Sequence, residues 1–372
     1  MGNLASTIPF TELWERLLTI ARIDSPNNED YARGVINDVY ARTLPRLKDW
    51  EPLVTEGNLS MVAYYNTGTV TATAGSTSIT GNATTWTSAM TVADGYRVKI
   101  AGNDNIYTFE YVSATSATIS PALSGADNLS SKSYEVYKDT YELASDFGRF
   151  LKNGSIYDYS GGRVREIIKE VKRDVFREEF VASATDPVVR AMLSGVHTTN
   201  DTRLVRVNPA PKTARVYPYE YIKQVTPMSD YQTGTVSVTN ASTAVVGTST
   251  SWLTNAAVGD YFRVDGNGEG DSSKWYKIAT VTDDTNIVLS TAYGEATEAG
   301  MSYTISKKPS AFPTEFHEFV LYEAVLTVIG EQTDPAFEGF SLRRNEILSD
   351  LKKNYESRDT NVQIRVEDDG YR

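Results

Sequence analysis

Two passages of this chain, GTVTATAGSTSITGNATTW at 68–86 and GTVSVTNASTAVVGTSTSW at 234–252, carry nearly the same Thr- and Gly-rich pattern. They align without a gap at an offset of 166 residues, and the match continues to Arg97, which corresponds to Arg263. Composition alone would not preserve this register. Self-similarity over such a length indicates homologous structural units.

The repeat extends beyond the quoted passages. After a turn written AGNDN in the first copy and DGNGEGDSS in the second, the offset becomes 169 and pairs Tyr134 with Tyr303. The extra residues lie in a predicted hairpin loop, where insertions cost little stability. We therefore define two homologous β modules, module one at 68–137 and module two at 234–305.

Short runs of alternating and β-branched residues, separated by Gly, Asn, Asp and Ser turns, fill each module. In module one these runs are GTVTAT, TSITGN, YRVKI, IYTFEYV, TSATIS and SYEVY. Such spacing predicts about six antiparallel strands in a small barrel or sandwich. Trp86 and Trp252 occupy the same context in both copies, so we interpret them as core residues rather than as stacking platforms for bases or sugars.

Amphipathic helical patterns dominate the residues outside the modules. The segment GRVREIIKEVKRDVFREEF at 162–180 has apolar residues at helical spacing and charged residues on the other face, which predicts the strongest helix. Further helices are predicted after Ser25, ending or kinking at Pro45, and in FPTEFHEFVLYEAVLTVIG and FSLRRNEILSDLKKNY near the C-terminus. The segment RLVRVNPAPKTARVYPYEYIKQV predicts two strands around a Pro-rich turn.

Together these patterns predict an α+β protein. Its base is a mainly helical domain, a helix bundle with a small β element, assembled from 1–67, 138–233 and 306–372. The two modules, 68–137 and 234–305, are small all-β barrels or sandwiches inserted into that base.

Few residues are available for catalysis. The 372 residues include no cysteine and two histidines, which leaves no thiol nucleophile and little material for a His-containing triad or metal site. His317, beside Glu315 and Glu318, fits a capping or surface pair. The net charge of −12 argues against a general nucleic-acid-binding surface. We therefore expect no enzyme activity and no cofactor, and the apolar run from Phe319 is too short to span a membrane.

One loop of module two imitates a calcium-binding loop. Asp265, Asn267 and Glu269 occupy positions 1, 3 and 5 of an EF-hand-like pattern, but position 12 is Tyr276, where a bidentate Glu is required. No predicted helix flanks this loop, and ordinary turn chemistry explains its Gly and Asn residues. We expect no metal there.

The final residues, NVQIRVEDDGYR at 361–372, form a short alternating pattern with an acidic end. A lone terminal strand is unstable and needs a sheet edge to join. This segment is therefore a frayed tail, a strand paired within its own chain, or a strand that a partner protein accepts.

The succession of DYARGVINDVYARTLPRLKDW, an inserted β module, YKDTYELASDF, the charged segment at 162–180, RLVRVNPAPKTARVYPYEYI and FPTEFHEFVLYEAV resembles the head-to-tail adaptor, or connector, proteins of tailed bacteriophages. The GTV…GT…TSW…VGDYFRV modules are similar to small β domains of phage structural proteins. This resemblance implies a non-enzymatic virion protein that forms a ring, commonly a dodecamer, beneath the portal at the capsid vertex.

The resemblance also implies partners. The segment 361–372 would dock onto the portal protein, with Val362, Ile364, Val366 and Tyr371 as contact candidates, and the ring would also meet a tail or nozzle protein. Double-stranded DNA would pass through the ring without specific binding, since an acidic lumen repels it. Such a protein resides in the virion neck, assembles in the host cytoplasm and contacts no membrane. The alternative is another phage tail, fibre or surface protein whose β modules bind a carbohydrate or protein.

Overall fold

A computed structural model of the chain describes residues 7–23, 28–125, 127–151, 155–158, 165–170, 173–178, 183–186, 188, 190–265, 274–329 and 336–356. Strands take up 38% of the structure and helices 26%, so the protein is mostly β and the predicted helical base is wrong. The chain divides into two compact units. The first unit is Val54–Gln224, and the second unit is Met1–Leu53 together with Val225–Arg372. Each unit contains one module and part of the predicted base, whose boundaries stay a prediction.

The α-helices are α1 (Phe10–Ala21), α2 (Glu29–Asn37), α3 (Leu44–Leu47), α4 (Arg173–Glu178), α5 (Trp252–Asn255), α6 (Glu315–Ile329) and α7 (Ala336–Tyr355). Helix α2 continues through a π-helical segment at Asp38–Thr43 into α3, so the helix does not end at Pro45 but two residues later, at Leu47. The predicted cap at Ser25 lies outside the described residues. The two predicted C-terminal helices are confirmed as α6 and α7.

The strands of the first unit are β1 (Val54–Met61), β2 (Thr69–Ala72), β3 (Ser78–Asn82), β4 (Tyr96–Ile100), β5 (Ile106–Ser113), β6 (Ser116–Ser120), β7 (Leu129–Lys132), β8 (Tyr134–Lys138), β9 (Thr140–Glu142), β10 (Phe147–Phe150), β11 (Ser155–Asp158), β12 (Arg165–Glu170), β13 (Arg190–Val196), β14 (Arg203–Asn208) and β15 (Arg215–Lys223). Eight of them form one sheet in the order β1-β15-β11-β12-β13-β14-β9, with β10 also paired to β15. The buried face of this sheet includes Phe147, Val205, Tyr217 and Tyr219. The two strands predicted around the Pro-rich turn are confirmed as β14 and β15, but they are not neighbours.

This sheet contradicts the strongest predicted helix. Among the described residues of the segment 162–180, Arg165–Glu170 forms β12 and Arg173–Glu178 is helical. Strand β12 pairs with β11, where Ile168 lies opposite Ile156, and runs parallel to β13. The apolar positions of the segment are mostly Val and Ile, whose β-branched side chains favour strands, so long-range pairing prevails over the local helical period.

Module one forms a seven-stranded sheet in the order β7-β2-β3-β6-β5-β4-β8. The six predicted strands are all confirmed, and β7 is additional. Its two end strands, β7 and β8, are separated in the chain by Ser133 alone, so both ends of the sheet belong to one bent segment. The sheet curls around a single core that includes Val70, Ile79, Phe109 and Val136.

The strands of the second unit are β16 (Asp230–Tyr231), β17 (Thr235–Val238), β18 (Ala244–Thr248), β19 (Tyr261–Val264), β20 (Tyr276–Asp283), β21 (Asn286–Leu289), β22 (Glu298–Met301) and β23 (Tyr303–Ser306). Their order, β16-β23-β19-β20-β21-β18-β17-β22, repeats that of module one. Even the entry to the module is conserved, since Tyr231 pairs with Ile305 as Tyr65 pairs with Val136. The homology inferred from sequence therefore extends to topology.

The backbone conformation at the start of each repeat explains why both passages begin with glycine. Gly68 and Gly234 have φ values of 83° and 89°, in the left-handed region that residues with a Cβ rarely adopt. A Cβ on Gly68 would also overlap the carbonyl oxygen of Asn82, and a Cβ on Gly234 that of Thr248. Both the turn and the close approach of two backbone segments require glycine.

Candidate interaction surface

Trp86 is a core residue of module one, as predicted. It is 2% exposed, and its ring meets Phe109 and Tyr134 edge to face at centroid distances of 5.2 and 5.9 Å. The indole Nε1–H donates to the Tyr134 hydroxyl over 3.0 Å, and that hydroxyl donates to the carbonyl oxygen of Thr67 over 2.7 Å. Burial raises the pKa of Tyr134, which keeps the hydroxyl a neutral donor.

Module two repeats this chain of hydrogen bonds. The equivalent residues are Trp252, Tyr303 and Thr233, and the two distances are again 3.0 and 2.7 Å. Trp252 is fully buried, and its ring meets Tyr303 at 5.9 Å and 89°. Neither tryptophan presents a face to solvent, so neither can stack against a base or a sugar.

The calcium-like loop is only partly described. Asp265 lies within the structure, whereas Asn267 and Glu269 lie outside the described residues. The Asp265 carboxylate accepts a hydrogen bond from the Thr304 hydroxyl at 2.9 Å and lies 4.0 Å from the Arg263 guanidinium. Burial raises the pKa of Asp265. Among the described residues no group of acidic or His side chains has the arrangement of a metal site.

The predicted docking tail also lies outside the described residues, so Val362, Ile364, Val366 and Tyr371 are not placed.

His317 is not the capping or surface residue predicted from sequence. It is 1% exposed within the core of the second unit, and its Nδ1 accepts the backbone N–H of Ile8 at 3.1 Å. Burial lowers the pKa of His317 to about 4. The apolar character of α6 gives the reason, because a helix that is apolar nearly all round buries its polar side chains as well.

Helix α7 presents the clearest unpartnered surface among the described residues. It runs for 20 residues, yet only Leu351 is buried. One side packs on α6, where Tyr322 and Phe340 lie 6.1 Å apart and Glu323 pairs with Arg344 at 3.1 Å. Soluble helices of this length usually bury a complete apolar stripe, and α7 does not.

Most apolar side chains of α7 are only partly shielded from solvent by α6. Leu342 is 59% exposed, and Phe337, Phe340, Ile347 and Leu348 are only partly buried. We call the α7 side chains outside the α6 contact, centred on Leu342, the α7 surface. Leu342 lies on the side of α7 away from these half-buried side chains, among the exposed Glu338, Asn345 and Glu346.

A groove of about 740 Å³ lies along the same two helices. Its walls carry carboxylates from Glu315, Glu318, Glu346 and Asp350 and cations from Arg343 and Lys353. Ile347, Leu351 and Tyr355 supply the apolar floor. Mixed charges around an apolar centre are the usual anatomy of a protein interface.

Sequence reasoning identified α7 but not its exposed face. The sequence shows which residues of α7 are apolar, whereas the burial of each side chain depends on how far α6 extends over it.

Comparisons with known proteins leave the family open. No protein-family model matches the chain, and no curated protein matches its sequence. None of the described helices combines the length and apolar character that crossing a membrane requires.

Proposed function

We propose that this chain is a structural protein of a tailed-bacteriophage virion, a head-to-tail adaptor that forms a ring between the portal and the tail. The observation that carries the proposal is the α7 surface, a helix about 30 Å long by its residue count of which only Leu351 is buried. A second copy of the chain is the occupant we assign to it.

A ring requires a heterologous contact, in which one surface of each copy meets a different surface of the next. The α7 surface suits this role because its exposed Leu342 and its exposed ion pairs, Arg343 with Glu346 and Lys353 with Asp350, can contact a non-identical surface. Ring closure would also bury Leu342, whose present exposure of 59% leaves apolar area in water.

The two modules support a structural role, because their tryptophans and tyrosines are occupied in duplicated internal networks. The alternative, a tail, fibre or surface protein that binds carbohydrate, loses the two aromatic platforms that would favour it. No other observation favours it.

In this proposal the partners are further copies of the chain, commonly twelve in all, the portal protein, and a tail or nozzle protein. The segment 361–372 contacts the portal, and double-stranded DNA passes through the lumen without specific binding. The net charge of −12 is compatible with that passage. The protein resides in the virion neck after assembly in the host cytoplasm.

The test is a charge placed on the α7 surface. We expect Leu342→Asp to weaken self-association at least tenfold, because a carboxylate would be buried in the subunit contact. The matched control is Leu253→Asp, at an equally exposed leucine on module two, 62% against 59%. Sedimentation velocity of the full chain measures assembly, and circular dichroism verifies folding. Equal assembly of both folded variants and the wild type would contradict the assignment of α7.

A further inference from the structure

Besides the groove on α6 and α7, the structure contains a pocket of about 340 Å³, which lies within the first unit. It is lined by the loop at 92–95 in module one, by α4 and by side chains of β13 and β14. Four arginines reach it from three different elements. They are Arg97 on β4, Arg173 and Arg177 on α4, and Arg206 on β14. Among the described residues no carboxylate belongs to its lining.

One buried carboxylate lies beside this cluster. Asp139, whose side chain is 2% exposed, accepts Arg97 Nε at 2.7 Å and Arg206 Nε at 2.8 Å. The side chains of Arg97 and Arg206 remain about one quarter exposed, at 26% and 24%. Two guanidinium groups therefore share this one buried carboxylate, and both side chains also line the pocket.

Helix α4 adds two further charges at the mouth. Arg173 and Arg177 are one turn apart and exposed, and neither forms an ion pair with a described residue. Like charges at this spacing repel each other and destabilise a helix. The helix is held by Phe176, which is 2% exposed and lies 5.7 Å beneath the guanidinium of Arg206. The two arginines of α4 are thus anchored beside a pocket that Arg97 and Arg206 also line.

Module two shows that the cluster is not a by-product of the repeat. Arg263, the counterpart of Arg97, pairs with Glu15 at 2.9 Å and stacks 4.5 Å from Trp275. At the later offset, the counterpart of Asp139 is Lys308. The arginine of the repeat is shared, whereas the other three arginines around it are particular to the first unit.

We propose that this pocket binds a phosphoryl group. Guanidinium groups match phosphate oxygens with paired, charge-assisted hydrogen bonds, and several converging forks select a multiply charged oxyanion. The volume lies at the lower end of the range for small-ligand sites, which suits a phosphate ester or a diphosphate and is too small for a duplex. The group comes from a free phosphate compound or from the phosphorylated end of a nucleic-acid strand.

Calorimetry of the full chain with pyrophosphate tests this directly. We expect one site per chain, an affinity that falls as salt rises, and at least a tenfold loss in the double variant Arg173→Gln, Arg177→Gln. The double variant Arg173→Lys, Arg177→Lys keeps the charge without the forks and should bind with intermediate affinity. The control is Lys132→Gln, at an exposed cation on β7 of the same module, which should bind like the wild type.

Two competitors identify the source and the class of ligand. Displacement of pyrophosphate by a 5′-phosphorylated oligonucleotide, but not by its unphosphorylated form, assigns the group to nucleic acid, and failure of both assigns it to a free compound. Either result supports a phosphoryl site. Absence of pyrophosphate binding, unchanged binding in the folded glutamine variant, or tighter binding of the acidic peptide EDDGYR would overturn the proposal.

Discussion

Modules one and two share one topology and one core arrangement, and they differ where each contacts the rest of its own unit. Inside, the Trp–Tyr–Thr hydrogen bonds agree to the tenth of an ångström, at 3.0 and 2.7 Å in both copies. Outside, the shared arginine pairs with buried Asp139 in one copy and with half-exposed Glu15 in the other. The two modules therefore share the packing and hydrogen bonds of their cores. The ion pairs that connect each module to the rest of its unit differ.

The largest test of this comparison removes the shared tryptophan from each core. We expect Trp86→Ala and Trp252→Ala each to destabilise their own module by about 4 kcal/mol, the usual cost of deleting a buried aromatic side chain. Hydrogen–deuterium exchange with mass spectrometry reads the opening free energy of each module separately. Trp275→Ala, at a partly buried tryptophan, is the control and should cost less. Costs that differ several-fold between the two buried sites would show that the modules are not equivalent.

A fall in pH should lower the stability of the second unit through its buried histidine, His317. His317 has its pKa lowered from 6.5 to about 4 by burial, so its stabilising contribution is complete above pH 6.5 and is lost as the pH falls towards 4. The loss is about 3 kcal/mol in opening free energy, from the size of that shift. We expect His317→Gln to flatten this dependence in the second unit, measured by exchange at several pH values.

The control for removing an imidazole is His197→Gln, in the first unit. An unchanged pH slope in the His317→Gln protein would contradict the role assigned to its burial.

The smallest effect concerns the attachment arginines. Arg97→Gln removes one of the two cations that pair with the buried carboxylate of Asp139. It should lower the free energy of unfolding by about 2 kcal/mol. Arg263→Gln leaves Glu15, which is 37% exposed, and should cost less than about 1 kcal/mol. Chemical denaturation of both variants gives the difference. A larger loss for Arg263→Gln than for Arg97→Gln would reverse the proposed order of the two attachments.

Sequence reasoning recovered the modules because their constraints are local. Alternating strands, the turn glycines Gly68 and Gly234, and the paired tryptophans are visible within some 70 residues. The second copy also made it possible to align the two passages, which defined the bounds of each module. The same reasoning succeeded for α6 and α7, because α6 is a long apolar run and α7 is a long segment with apolar residues at helical spacing.

It failed where distant segments decide the structure. The stretch at 162–180 has a helical period, but Ile168 lies opposite Ile156 in a sheet that also contains β1, at Val54–Met61, and β15, at Arg215–Lys223. The arginine pocket was missed for a related reason, since its four guanidinium groups converge from positions as far apart as Arg97 and Arg206. Burial of His317 likewise depends on the chain segment at Ile8.

The most direct test of the proposed function is electron microscopy of the purified full chain, mixed with a portal protein from the same virion. The account predicts closed rings, commonly twelve-fold, seated on one face of the portal, and their loss in Leu342→Asp but not in Leu253→Asp. A chain that stays monomeric in the presence of the portal, with no ring in the images, would contradict it.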